Sequence, residues 1–164
     1  MAHVVGLGSI ILPDLAPIRY LGCRIRRGRI TAIVLESLKW TLYSYAHERP
    51  SKFVGLDKEA FLAGVESAFK YLHSLGLAHN DINPHNIMMG ETDDGGVCSP
   101  VLIDFDSCGL FGEQTHTGRT RGFADAEDVE EFVSLKRHDE FSLGRLREWW
   151  DEEHEPKEVD ADED

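Results

Sequence analysis

Long apolar runs are missing from this 164-residue chain. None approaches the ~20 residues that a helix needs to cross a bilayer, so no membrane partner is expected. Cysteine is scarce, with three residues at 23, 98 and 108. They form no paired framework and no C-x-x-C motif, so no disulfide scaffold is expected. Buried, reduced thiols are the default for such a set. That suits a cytosolic or nuclear protein. A basic stretch ahead of an apolar core is absent from residues 1–18, so they do not have the pattern of a secretory leader. Positive charge is in deficit: 17 Lys and Arg face 30 Asp and Glu, a net charge of −13. That balance argues against a nucleic-acid partner. Internal repeats are also absent.

What is present fits about one soluble domain. Apolar residues make up 41% of the chain, an ordinary share for a globular protein. The acidity is concentrated at one end. Residues 151–164 hold nine acids and one Lys. With only Val159 and Ala161 as apolar members, this stretch cannot repay its ordering entropy and is expected to be a disordered acidic tail. A solubilising tail is favoured over one that captures a basic partner.

Hydrophobic patterning divides the rest. Residues 20–26 and 30–36 predict two strands around Arg27-Gly28-Arg29, the second rich enough in large apolar residues to be buried. Five Arg between 19 and 29 fit a polar hairpin edge as well as they fit an anion site. A short helix is expected over 37–48. The clearest helix spans 57–76, where Phe61, Leu62, Val65, Ala68, Phe69, Leu72 and Leu75 recur at three- and four-residue steps. Asp57 suits its start and Gly76 its end. A short strand is expected at 87–89, a hairpin turn at 93–96 and a return strand at 101–104. Residues 107–138 are Gly- and Thr-rich with little periodicity, which predicts a long irregular segment. Helix returns at 139–150, with Leu143, Leu146 and Trp150 on one face.

Between the long helix and the short strand lies His79-Asn80-Asp81-Ile82-Asn83-Pro84-His85-Asn86. Its spacing is H-x-D-x-x-x-x-N. In the kinase frame the Asp takes a hydroxyl proton and the Asn holds a magnesium ion. Downstream, Val101-Leu102-Ile103 runs into Asp104-Phe105, which suits a second magnesium ligand. A turn rich in Asn, Asp and Pro would explain the first piece alone. Both pieces in this order favour the functional reading.

Residues from about 20 to 150 resemble the hinge and first half of the large lobe of a protein kinase-like domain. The loop, followed by Ile103-Asp104-Phe105-Asp106, is most similar to small kinase-like proteins of filamentous fungi. The resemblance implies an α+β, protein kinase-like fold with a reduced small lobe over 1–36 and hinge and large lobe over 37–150. It implies ATP and Mg2+ as cofactors, with Asp81 and Asn83 as catalytic-loop residues and Asn86 and Asp104 as metal ligands. Leu35 would be the gatekeeper, and Glu36, Ser37 and Leu38 the hinge that meets adenine. His79 would be a packed spine residue, and Asp139 a brace for the loop backbone.

Departures from the kinase pattern are as informative. Asn80 stands where many kinases have Arg, so phosphate on Thr115, Thr117 or Thr120 has no loop Arg to meet. Asn83 stands where Ser/Thr kinases have a Lys, which removes a charge from the γ-phosphate. Asp106 replaces a Gly. Val4-Val5-Gly6-Leu7-Gly8-Ser9 fails as a Gly-rich loop, because Ile11 occupies the third Gly position. No strand Lys is found, since Lys39 and Lys52 follow the hinge. The expected function is ATP- and magnesium-dependent phosphoryl transfer to a hydroxyl, with a protein as substrate or partner. Two alternatives stand beside it: a pseudokinase binding module, and a small-molecule phosphotransferase like the aminoglycoside or choline kinases.

Overall fold

The structure is a computed structural model that describes residues 18, 20–91, 97–115, 119–125 and 133–154. β1 (Tyr20–Arg26) and β2 (Arg29–Leu35) form an antiparallel hairpin. Arg27 and Gly28 link them with φ of 52° and 74°, the two left-handed residues that a tight I′-type turn requires. The expectation of a buried second strand is not met: every residue of β2 is exposed. The reason is architectural. A two-stranded hairpin has two faces, and no described element packs closely over either, so Ile30 and Ile33 stand 65% and 66% exposed.

The next helix starts later than the sequence suggests. α1 (Leu42–Glu48) begins after a reciprocal cap in which Thr41 and Ser44 each bond the other's backbone N–H at 3.0 Å. Residues 36–40 stay non-helical. They are held instead by Met89, whose N–H donates to the Trp40 carbonyl at 2.8 Å. α2 (Pro50–Phe53) is a single turn opened by its proline.

α3 (Lys58–Ser74) matches the expected helix closely. The Asp57 carboxylate accepts from Ala60 N–H at 3.0 Å, and Gly76 follows the end with φ of 80°. Phe61, Leu62, Val65 and Phe69 are buried. The stripe fades beyond them, and Leu75 is 50% exposed.

β3 (Leu77–Ala78) leads into the loop, and β4 (Ile87–Glu91) leaves it. β5 (Val97–Leu102) pairs antiparallel with β4, Ile87 facing Leu102. The return strand therefore starts and ends earlier than expected, and Ile103 and Asp104 lie beyond it. The expected turn at 93–96 falls outside the described residues. After a 3-10 turn at Phe105–Ser107, β6 (Gly109–Leu110) returns to pair with β3. Between β6 and the last helix, the described residues add one bridge, Gln114 to Val133.

α4 (Lys136–His154) is longer than expected and runs four residues into the acidic stretch. Asp151 there pairs with Lys58 at 2.5 Å, so part of the expected tail is helix. Residues 155–164 fall outside the described residues. α3 packs between β5 and α4. The core joins Leu42, Leu62, Phe69, Ile82, Met89 and Trp150, among others. Each such side chain contributes about 1.5–3 kcal/mol on burial. No described helix is long and apolar enough to cross a membrane.

Candidate active site

The loop at 79–86 is anchored from below by Ile82, which is fully buried. It is anchored from behind by Asp139 on the first turn of α4, also fully buried. One Asp139 oxygen accepts from His79 N–H at 2.9 Å, and the other from Asn80 N–H at 2.8 Å. His73, near the end of α3, donates from Nε2 to the same carboxylate at 2.8 Å. A buried carboxylate is costly unless it is hydrogen-bonded, and these three donors meet that need.

His79 is packed inside the protein. It is fully buried, with Nε2 2.9 Å from the Ile103 carbonyl and its ring 5.1 Å from Phe105. It thus connects the loop to the segment that carries Asp104.

Asp81 is half-buried and held at both oxygens. Oδ2 accepts from Asn86 Nδ2 at 2.9 Å, and Oδ1 accepts from Thr120 N–H at 2.7 Å. Asn83 is buried, and its Nδ2 donates to the Asp81 carbonyl at 3.1 Å and to Thr120 Oγ1 at 3.0 Å. Its Oδ1 accepts from His85 N–H at 2.9 Å, closing the turn that Pro84 begins. Asn86 Nδ2 also donates to the Asp81 carbonyl at 3.0 Å. That leaves the Asn86 amide oxygen as the atom a cation would take.

Asn86 and Asp104 are adjacent through backbone. Ile103 N–H donates to the Asn86 carbonyl at 3.0 Å, which extends the β4–β5 register by one step. Asp104 then turns out of the sheet with φ of 61° and ψ of 71°, its side chain exposed. Asn80 has φ of 65°. Left-handed backbone at a residue with a Cβ costs of order 1–3 kcal/mol, and such strain concentrates at functional sites.

No group of three His, Cys, Asp or Glu suited to a metal ion is found among the described residues. A cation here would depend on an amide oxygen, Asn86 Oδ1, together with the Asp104 carboxylate. Those are hard oxygen donors of the kind magnesium takes, with phosphate oxygens and water completing the shell. Leu35 ends β2, and Glu36, Ser37 and Leu38 lie on the link from it to Trp40. This link connects to the site through β4, which begins directly after Asn86.

Three features escaped the sequence reading. Thr120 reaches Asp81 from thirty-nine positions away. Its turn is fixed to α4 by Ser142 Oγ on the Phe123 carbonyl at 2.8 Å and Arg145 Nε on the Gly122 carbonyl at 2.9 Å. No spacing signal marks it. Tyr43 ties α1 to the loop, donating its N–H to Pro84 O at 3.0 Å and stacking on His85 with centroids 4.2 Å apart. Cys108 is half-buried and free, as is Cys23, so neither is the buried thiol expected. Burial, and then the Asp139 charge, push the Cys108 thiol pKa up.

The family model of the lipopolysaccharide kinase (Kdo/WaaP) family matches residues 20–141. The chain belongs to this family. The Kdo/WaaP match spans the hairpin, the loop, the Asp104 segment and the start of α4, and so includes every residue of the site. The chain is 34% identical over 91 residues to the 3-deoxy-D-manno-octulosonic acid kinase of Haemophilus influenzae, covering 56% of this chain and 32% of that protein. It is 33% identical over 91 residues to the human serine/threonine-protein kinase/endoribonuclease IRE2, covering 56% of this chain and 10% of that protein. It is 38% identical over 63 residues to the rat serine/threonine-protein kinase DCLK1, covering 38% of this chain and 14% of that protein. The chain thus spans a third or less of the length of these relatives. At family level the chain carries a kinase-like domain of α+β architecture.

Proposed function

We propose that this domain takes part in magnesium- and ATP-dependent phosphoryl transfer to a hydroxyl. The observation that carries this reading is the Asp81–Asn86 pair at 2.9 Å, with the carbonyl of Asn86 bonded to the residue before Asp104. A carboxylate fixed at both oxygens is pre-aligned to accept a proton, and phosphoryl transfer depends mainly on such positioning and charge placement. Asp81 orients an acceptor hydroxyl and receives its proton as the new P–O bond forms and the bond from the γ-phosphorus to the β,γ-bridging oxygen breaks, with ADP leaving. Asn86 and Asp104 would hold the cation, which would supply charge neutralisation at the phosphates. Leu35 would flank the adenine, and Glu36, Ser37 and Leu38 would bind it through backbone groups. The relatives suggest two acceptor classes, a saccharide hydroxyl and a protein hydroxyl.

One observation supports a slower or non-catalytic variant of this reading. The Asn83 amide is spent on Asp81 and Thr120. It brings no positive charge to a γ-phosphate. Losing one such donor typically costs a factor of about 10² to 10³ in rate, so transfer by this chain alone is expected to be slow. The free thiols at Cys23 and Cys108 are in keeping with a reducing compartment.

Calorimetry of ATP binding, with and without magnesium, tests the assignment. Magnesium should tighten binding to the native chain. It should have no effect on the double variant Asn86→Ala, Asp104→Ala. Equal magnesium dependence in the two proteins would remove these residues from the site.

A further inference from the structure

Asn80 is 2% exposed, and its side chain faces away from the acceptor side of the loop, into the protein. Nδ2 lies 3.2 Å from the Ala78 carbonyl, 2.9 Å from the Ser107 carbonyl and 2.9 Å from Ser134 Oγ. Oδ1 accepts from Leu135 N–H at 3.3 Å and from His138 Nδ1 at 3.0 Å. Ser134 Oγ passes the contact on, donating to the Gly109 carbonyl at 2.8 Å. Four stretches therefore meet on one amide: β3, the turn after Asp104, the residues before α4, and the first turn of α4. The backbone of the same residue is clamped as well, since its N–H is bonded to Asp139.

Residue type matters at this point. Donor and acceptor stand side by side on a short, planar group, which few side chains offer. An Asp would turn a second oxygen toward two carbonyls and a hydroxyl. An apolar residue would remove all of these hydrogen bonds from a buried site. Asn is also among the few residues that tolerate the left-handed backbone found here.

We propose that Asn80 is a positioning residue whose amide fixes the Asp104 segment and the 133–135 stretch against the Asp81 loop. The inference rests on the proposed transfer reaction for its kinetic consequence, though not for its structural one.

The test uses the full chain, with Asn80→Asp and Asn80→Gly compared with the native protein. Glycine keeps the backbone conformation and removes the amide. Amide hydrogen exchange, corrected for intrinsic rates, should rise about tenfold or more at 107–110 and 134–138 in both variants. Cooperative melting should be retained. ATP turnover should show kcat lowered about tenfold or more with KM for ATP within about threefold, the pattern of lost positioning and not of lost binding. In Asn80→Asp alone, protection should recover at acid pH, where the protonated carboxyl regains a donor. Unchanged exchange at both segments would overturn the clamp. Raised exchange with unchanged kcat would overturn the positioning role. Absence of turnover in the native chain would instead overturn the transfer reading, while exchange still decides the clamp.

Discussion

Removing Asp139 would leave two backbone N–H groups, those of His79 and Asn80, buried without partners. Each such loss costs about 1–3 kcal/mol. Asp139→Ala should therefore lower Tm by roughly 5–15 °C, at about 2–4 °C per kcal/mol for a domain of this size. Differential scanning calorimetry reads this directly, and an unchanged Tm would contradict the bracing role. Thr120 makes a different demand. With its N–H on Asp81 Oδ1, a carboxylate at this position adds like charge beside the proposed base. Thr120→Glu should cut turnover by more than about tenfold, whereas Thr120→Val, which keeps the N–H, should stay within a few-fold. Equal turnover in the two would show that the contact is incidental. Cys108 supplies a pH dependence. Its pKa is raised by burial and by Asp139, so the fold disfavours its thiolate. The stability this gives is complete below the ordinary thiol pKa and is lost as pH climbs through the raised value. Native protein should lose stability faster than Cys108→Ser in alkaline denaturant titrations, and parallel curves would contradict the shift.

Contacts between elements set the next layer. A Cβ at Gly64 on α3 would lie 2.8 Å from two ring carbons of Pro100 on β5. Alanine would gain up to about 1 kcal/mol in helix propensity, but forcing α3 off β5 costs about 1–3 kcal/mol. Gly64→Ala should therefore destabilise by up to roughly 2 kcal/mol in urea melts. A stabilised variant would contradict this close packing of helix on strand. The same elements show what was legible in the sequence. α3 was plain, because Phe61, Leu62, Val65 and Phe69 keep helical spacing between a capping Asp57 and a terminating Gly76. The start of α1 was not, because the Trp40 carbonyl bonded to Met89 is a tertiary contact that local propensity does not encode. β2 reads as buried from composition alone. Its exposure depends on what lies across the sheet, which a single strand cannot announce.

At the scale of the molecule, the site is assembled where sequence-distant pieces converge on one loop. Asp81, Asn86 and Asp104 were legible from spacing, since H-x-D-x-x-x-x-N and the strand-ending Asp are local patterns. Thr120, Ser134 and His138 were not, because each reaches the loop from at least 37 positions away. Their approach is set by β3–β6 pairing and by the docking of α4. The proposed chemistry falls to Asp81 and the alignment to its neighbours. Its most direct test is ATP-dependent phosphoryl transfer by the purified chain with magnesium, read as ADP release and as label on saccharide and protein acceptors, beside Asp81→Ala of confirmed native fold. Slow transfer by the native chain that disappears in Asp81→Ala is the predicted result. The same residual transfer in both would show that Asp81 is not the base and contradict the account.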